Sequence, residues 1–195
     1  MKSFNTMLKT ELKLSLRGMD MVIFAICMPI VVLVVIGVIY GNKPAFEGAN
    51  YTFLEQSFGA ITSIAICAGG VMGLPLVVSD YRSKHILKRF KVTPVDPIVI
   101  LLVEVTIYAL YSLVSMSSLF LVAKLFFKFN MQGNIFNFIL GWLLVMISMF
   151  SIGIMVGGIS KDSKIAGVIA SVLYFPMLIF SGATIQTVSG SSRRR

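Results

Sequence analysis

Charge is scarce in this sequence. Only 13% of its 195 residues are Asp, Glu, Lys or Arg and 57% are hydrophobic, against about a quarter charged in an ordinary soluble domain. With a mean hydropathy of +0.92, the chain has too little polar surface to clothe a water-facing exterior, which excludes a soluble globule. Cysteine is nearly absent as well. Cys27 and Cys67 sit in apolar runs with no CxxC spacing and no ligand cluster beside them, which excludes a disulfide scaffold and a zinc site. The single histidine, His85, has no HExxH around it, and a catalytic triad would lack an intramembrane base. No phosphate-cradling GxxxxGK[ST] loop occurs, so the chain cannot hold ATP itself. Acids are the rarer sign, 8 against 17 Lys and Arg for a net charge of +9. No basic stretch is interleaved with aromatics on a solvated domain, so nucleic acid is excluded as a partner. Internal repeats and low-complexity linkers are missing too.

What the chain does have is long apolar runs. Residues 21–40 are uncharged and as a helix rise about 30 Å, the thickness of a hydrocarbon layer. This run is too long for a signal-peptide core, and no small-x-small cleavage site follows it. Four more runs qualify, at 56–78, 98–123, 135–159 and 165–185. Barrel strands of alternating polarity are absent, and lipid demands that each span satisfy its own backbone. The predicted fold is therefore an all-α membrane protein with five transmembrane helices. Residues 21–185 form its transmembrane domain, preceded by an amphipathic interfacial helix over 1–20 and followed by a basic tail over 186–195. A cytoplasmic amino terminus puts Lys2, Lys9, Lys13, Arg17, Arg82, Lys84, Lys88, Arg89, Lys91, Lys161 and Lys164 inside, most of the 17 basic residues, as the positive-inside bias requires. The terminal Arg193, Arg194 and Arg195 break the pattern. Asp96-Pro97 reads as an N-cap and first helical residue, and Pro29, Pro75 and Pro176 each bend a span.

Two segments outside the spans could carry function. In the first, Phe4, Met7, Leu8, Leu12, Leu16 and Met19 share one side of a helix, with Lys9, Lys13 and Arg17 opposite and Glu11 the one misplaced charge. This pattern favours a lipid anchor over a lever to a cytoplasmic partner. The second is the loop 79–97, basic but carrying Ile86, Leu87 and Phe90, with Asp80 and Lys84 as an i,i+4 pair ahead of the Thr93-Pro94 stop. Docking on membrane and docking on protein both remain open from these residues. Inside the spans, Glu104 is the one acid well within a run, with Tyr108 and Tyr111 on nearby turns. Its place near the inner boundary favours a structural or interfacial role over substrate or proton binding. Gly69 and Gly73, and Gly153 and Gly157, set small residues one turn apart for close helix packing.

The run Asp80-Tyr81-Arg82 … Ile86-Leu87-Lys88-Arg89-Phe90-Lys91-Val92-Thr93-Pro94-Val95 resembles the cytoplasmic loop of ABC-2-type permeases, the membrane subunits of one class of ABC exporter. Tyr174-Phe175-Pro176-Met177 … Phe180-Ser181-Gly182-Ala183-Thr184-Ile185 is similar to that family's fifth span and its Ser-Gly-Ala-Thr-Ile-Pro ending. Many members carry Gly-Thr where this chain has His85-Ile86, and Gln186 replaces the final proline. Family members have six spans, so the resemblance implies a chain cut short or frame-shifted before the sixth. It also implies the permease subunit of an ATP-driven exporter in the cell membrane, not itself an enzyme. Its coupling segment would include Asp80, Arg82, Lys84, His85, Leu87, Lys88, Arg89, Phe90 and Lys91. The implied partners are a separate ABC ATPase subunit that supplies ATP and Mg, a second permease chain as homodimer or heterodimer, and the bilayer; no cofactor binds this chain directly. Two rival readings remain: a non-transporting docking or immunity protein, and a proton-coupled carrier using Glu104.

The topology makes a direct prediction. In a chain freed of Cys27 and Cys67, His85→Cys is expected to react with a membrane-impermeant thiol reagent from the cytosolic side only, and Lys43→Cys from the outer side. Labelling of position 85 from outside would reverse the orientation.

Overall fold

A computed structural model describes residues 2–18, 23–40, 44, 51–86, 97–127, 129–130 and 134–180. They form six helices: α1 (Lys2–Gly18), α2 (23–40), α3 (Phe53–Ser83), α4 (Pro97–Phe127), α5 (Ile135–Ile159) and α6 (Ser163–Phe180). Among the described residues there is no strand, only an isolated bridge between Pro44 and Thr52. α3, α4 and α5 are long and apolar enough to cross a membrane, and α2 and α6 contain shorter apolar helices, Ala25–Tyr40 and Ser163–Ile179. The chain after Phe180, with its Ser-Gly-Ala-Thr-Ile run and basic tail, lies outside the described residues, as does Asp96 ahead of Pro97.

Helix boundaries follow from local chemistry. α3 starts at Phe53 because Thr52 and Glu55 form a capping box: the Thr52 hydroxyl accepts from the Glu55 N–H at 3.3 Å, and Glu55 Oε2 accepts from the Thr52 N–H at 2.9 Å. The second Glu55 oxygen accepts from the N–H of Asn130 at 3.1 Å, tying the end of α4 to the start of α3. Asn134 caps α5, and Asp162 accepts from Ile165 to start α6. Two of the three intrahelical prolines act in the same way. Proline has no N–H, and its ring crowds the carbonyl four residues back. Those carbonyls belong to Ala25 and Val71, and both lie in π-helical turns, Ile23–Cys27 ahead of Pro29 and Ala68–Gly73 ahead of Pro75. Widening the turn accommodates the ring.

α3 is the central helix, with 72% of its most apolar stretch buried against 22% for α5. At one end of the bundle, Leu33 of α2, Leu54, Phe58 and Ile61 of α3, and Leu119 and Ala123 of α4 close around Phe129. Midway, Ile66, Leu74 and Val78 of α3 pack with Tyr108, Trp142 and Phe150. Large apolar side chains face outward on the same helices, among them Val38, Leu125 and Phe136, as a lipid-facing exterior requires. The α3–α5 seam is close because glycine lets it be. A Cβ on Gly153 would strike the Gly70 carbonyl oxygen, and one on Gly157 would stand 2.7 Å from the Val78 Cβ and 3.1 Å from the Pro75 oxygen. Gly158, the next residue, has open space around it.

Gly153→Leu is therefore expected to lower stability by about 3 kcal/mol, since backbone must move to admit the side chain. Gly158→Leu should stay within about 0.5 kcal/mol of the parent. Thermal unfolding of the two variants in detergent compares them directly.

Candidate functional site

The polar side chains of the bundle converge at one end, where α3 finishes, α4 and α6 begin, and α1 lies alongside. α3 leaves its helical path at Ser83. The Lys84 N–H donates to the Asp80 carbonyl at 3.0 Å and the His85 N–H to the Arg82 carbonyl at 3.1 Å. His85 then takes φ 57°, the left-handed conformation that glycine adopts freely. Here His85 meets that geometry with a ring Nδ1 2.9 Å from the Ser83 carbonyl.

Asp80 links two helices. Its Oδ2 pairs with Lys84 Nζ at 2.7 Å, and its Oδ1 accepts from the Ser163 hydroxyl of α6 at 3.2 Å. The Lys84 side chain is 65% exposed, so the ion pair contributes little beyond local order, and the polar link from Asp80 to α6 is the Ser163 hydroxyl. Arg82 and His85 are exposed and Ile86 is half-buried. Leu87, Lys88, Arg89, Phe90 and Lys91 lie outside the described residues.

The next residue, Tyr81, joins three helices. Its hydroxyl lies 2.9 Å from Glu11 Oε2 on α1 and 2.9 Å from Glu104 Oε1 on α4. Glu104 is 5% exposed, and the phenol supplies the partner that a buried acid needs. Between Glu104 and Lys124 the helix α4 rises about 30 Å, so the two ionisable residues stand one hydrocarbon thickness apart. A second polar tie holds α1: the Tyr111 hydroxyl donates to Ser15 Oγ at 2.9 Å. The apolar side of α1 is covered by protein, with Phe4, Met7, Leu8 and Leu12 packed on Ala25, Val103, Ile107 and Tyr111.

Glu104 and Tyr108 are not hydrogen-bonded to each other. Tyr108 is buried among aromatic neighbours, edge-on to Tyr111 and Phe150 with centroids 6.5 Å away in each case, and its ring lies against Gly69. Its hydroxyl, those of Ser112 and Ser115, and the Trp142 indole N–H have no hydrogen-bond partner among the described residues. Gly73 is buried in the π turn of α3. At the opposite end, a groove of about 860 Å³ runs between α3, α4 and α5, lined by Phe58, Phe120, Leu121 and Phe138 with Lys124 among its walls. Among the described residues no group of three or more His, Cys, Asp or Glu stands close enough to hold a metal.

Glu11 and Tyr81 were the residues missing from the sequence-based site. Glu11 was visible as the one acid on the wrong side of an amphipathic helix, and Tyr81 adjoined the basic segment; nothing in their spacing of 70 positions joined them to Glu104.

The backbone at His85 can be tested. His85→Gly is expected to unfold at a higher temperature than His85→Val, by about 1–2 kcal/mol, because a β-branched residue is strained at positive φ and glycine is not. Equal melting temperatures would mean the turn is not left-handed.

One family profile, described as ABC-2 type transporter, matches residues 2–189 of the chain. No curated protein and no solved structure gives a significant match.

Proposed function

Because the chain belongs to the ABC-2 type transporter family, we propose that it is the permease subunit of an ATP-driven exporter, coupled to a separate ATPase subunit. The family is one of transmembrane permease domains, and the chain carries no phosphate-binding loop of its own. Hydrolysis then belongs to a partner that brings ATP and Mg. The proposed assembly pairs two permease chains in the bilayer, each with five spans in this sequence and a cytosolic amino terminus.

One observation carries the coupling role: the last turn of α3, which leads into the basic segment, is hydrogen-bonded to three other helices, through Tyr81 to α1 and α4 and through Asp80 to α6. A displacement of residues 82–91 by a closing ATPase would be felt at once by four helices, since hydrogen bonds between half-buried groups cost free energy to leave unmade. The apolar face of α1 on α4 adds a second route. ATP closure would draw the basic segments inward and switch the spans between inward-open and outward-open arrangements. The apolar groove beside Phe120 and Phe138 suits an amphiphilic cargo without selecting one.

Purification of the chain from membranes is expected to bring an ATP-binding subunit with it, and scrambling residues 80–91 to lose that subunit. Reversing Lys88 and Arg89 to Glu should leave expression intact while export falls at least about tenfold per ATP hydrolysed, a coupling loss on the order of 1.4 kcal/mol. A complex that contains no ATPase, or coupling unchanged in the double variant, would remove the assignment.

A further inference from the structure

The Tyr81 oxygen carries one hydrogen and faces two carboxylates, each 2.9 Å away. If both acids are ionised, the hydrogen serves one of them, and the other contact sets lone pair against lone pair at hydrogen-bond distance. No cation relieves this among the described side chains, where the one ion pair is Asp80 with Lys84. On α1, Lys9 and Lys13 are exposed. On α3, Arg82 is exposed and Lys84 is engaged by Asp80. Residues 23–27 contribute only an exposed cysteine. On α4, Tyr111 is bonded to Ser15, and Tyr108, 3% exposed and one turn beyond Glu104, keeps a hydroxyl with no partner among the described residues. With both acids ionised the trio is thus one hydrogen short, and its neighbours among the described residues supply none.

We propose that Glu11, Tyr81 and Glu104 together form a proton-binding site, and that the bound proton fastens α1 to α3 and α4. A proton from water adds to the Glu104 carboxylate. The resulting O–H donates to the Tyr81 oxygen, and the Tyr81 O–H donates to the Glu11 carboxylate. Every contact then has its hydrogen, and the trio carries one negative charge in place of two. Glu104 is the seat of the proton because it is buried, whereas Glu11 is half-buried on the outermost of the three helices. Removal of the proton leaves two carboxylates competing for one hydrogen. The element free to move apart is α1, held otherwise by Ser15–Tyr111 and its apolar side. The site stands whether or not an ATPase drives the chain, and its test uses no nucleotide.

The full chain is reconstituted in liposomes with Cys27→Ser and Cys67→Ala. It carries either Leu12→Cys on the packed side of α1 or Leu14→Cys on its exposed side. The ratio of alkylation rates at 12 and 14 cancels the pH dependence of the thiol itself. It is expected to be low at acid pH and to rise about tenfold per pH unit as one proton is lost. Glu104→Gln, whose amide donates to Tyr81 without titrating, should hold the ratio low throughout, and Tyr81→Phe should hold it high. Infrared titration of the chain with native Glu11, Tyr81 and Glu104 should show a protonated-carboxyl band that fades over the same pH range. A ratio insensitive to pH, a pH response retained in Glu104→Gln, or no such band would overturn the proposal.

Discussion

Hydrocarbon can neither donate nor accept a hydrogen bond, and that property of the solvent orders this chain from its backbone outward. It makes each apolar run a helix. It also sends hydroxyls back onto their own helices: Thr62 donates to the Phe58 carbonyl at 2.8 Å, Thr106 to Leu102 at 2.7 Å, and Ser148 and Ser151 to Leu144 and Ile147 at 2.8 Å. Where proline interrupts the ladder, at Pro29 and Pro75, the preceding turn widens into a π-helix so that the chain stays helical. Glu104 cannot be settled locally. It lies inside a helix with no basic residue one turn away, so it must find its hydrogen-bond partner on another helix, and the Tyr81 hydroxyl is that partner. The polar tie among α1, α3 and α4 is the tertiary form of the same demand.

What could be read from the residues divides along that line. Helical class, the apolar runs and the basic segment between α3 and α4 are matters of composition and order along the chain, and they were legible. So was the oddity of Glu11 and Glu104, each an acid where the surrounding pattern calls for something apolar or basic. Their meeting was not legible, because it depends on how α1 lies along α4, and no periodicity encodes that. The amphipathic pattern of α1 had the same ambiguity: an apolar stripe is the same whether lipid or protein covers it, and Val103, Ile107 and Tyr111 take up this one. The π turns escaped notice for a different reason. Proline announces a bend, but whether the helix kinks or swells depends on whether neighbouring groups can take up the wider turn.

Two kinds of contact hold α3, and they respond differently to force. Along its seam with α5, Gly153 sits against the Gly70 backbone and Gly157 against Pro75 and Val78. Atoms already in contact over a rigid backbone can neither close further nor separate without opening a void, so the two helices move as one. At its basic end, α3 is held instead by single hydrogen bonds from Asp80 and Tyr81 to three helices. Such bonds are directional and replaceable; a hydroxyl can turn from one acceptor to another while the backbone shifts by little. The left-handed turn at His85 follows this end of α3 directly. Under the proposed coupling role, a pull at this end would reach α1, α4 and α6 through hydrogen bonds that can be exchanged, and the glycine seam would carry the motion of α3 into α5.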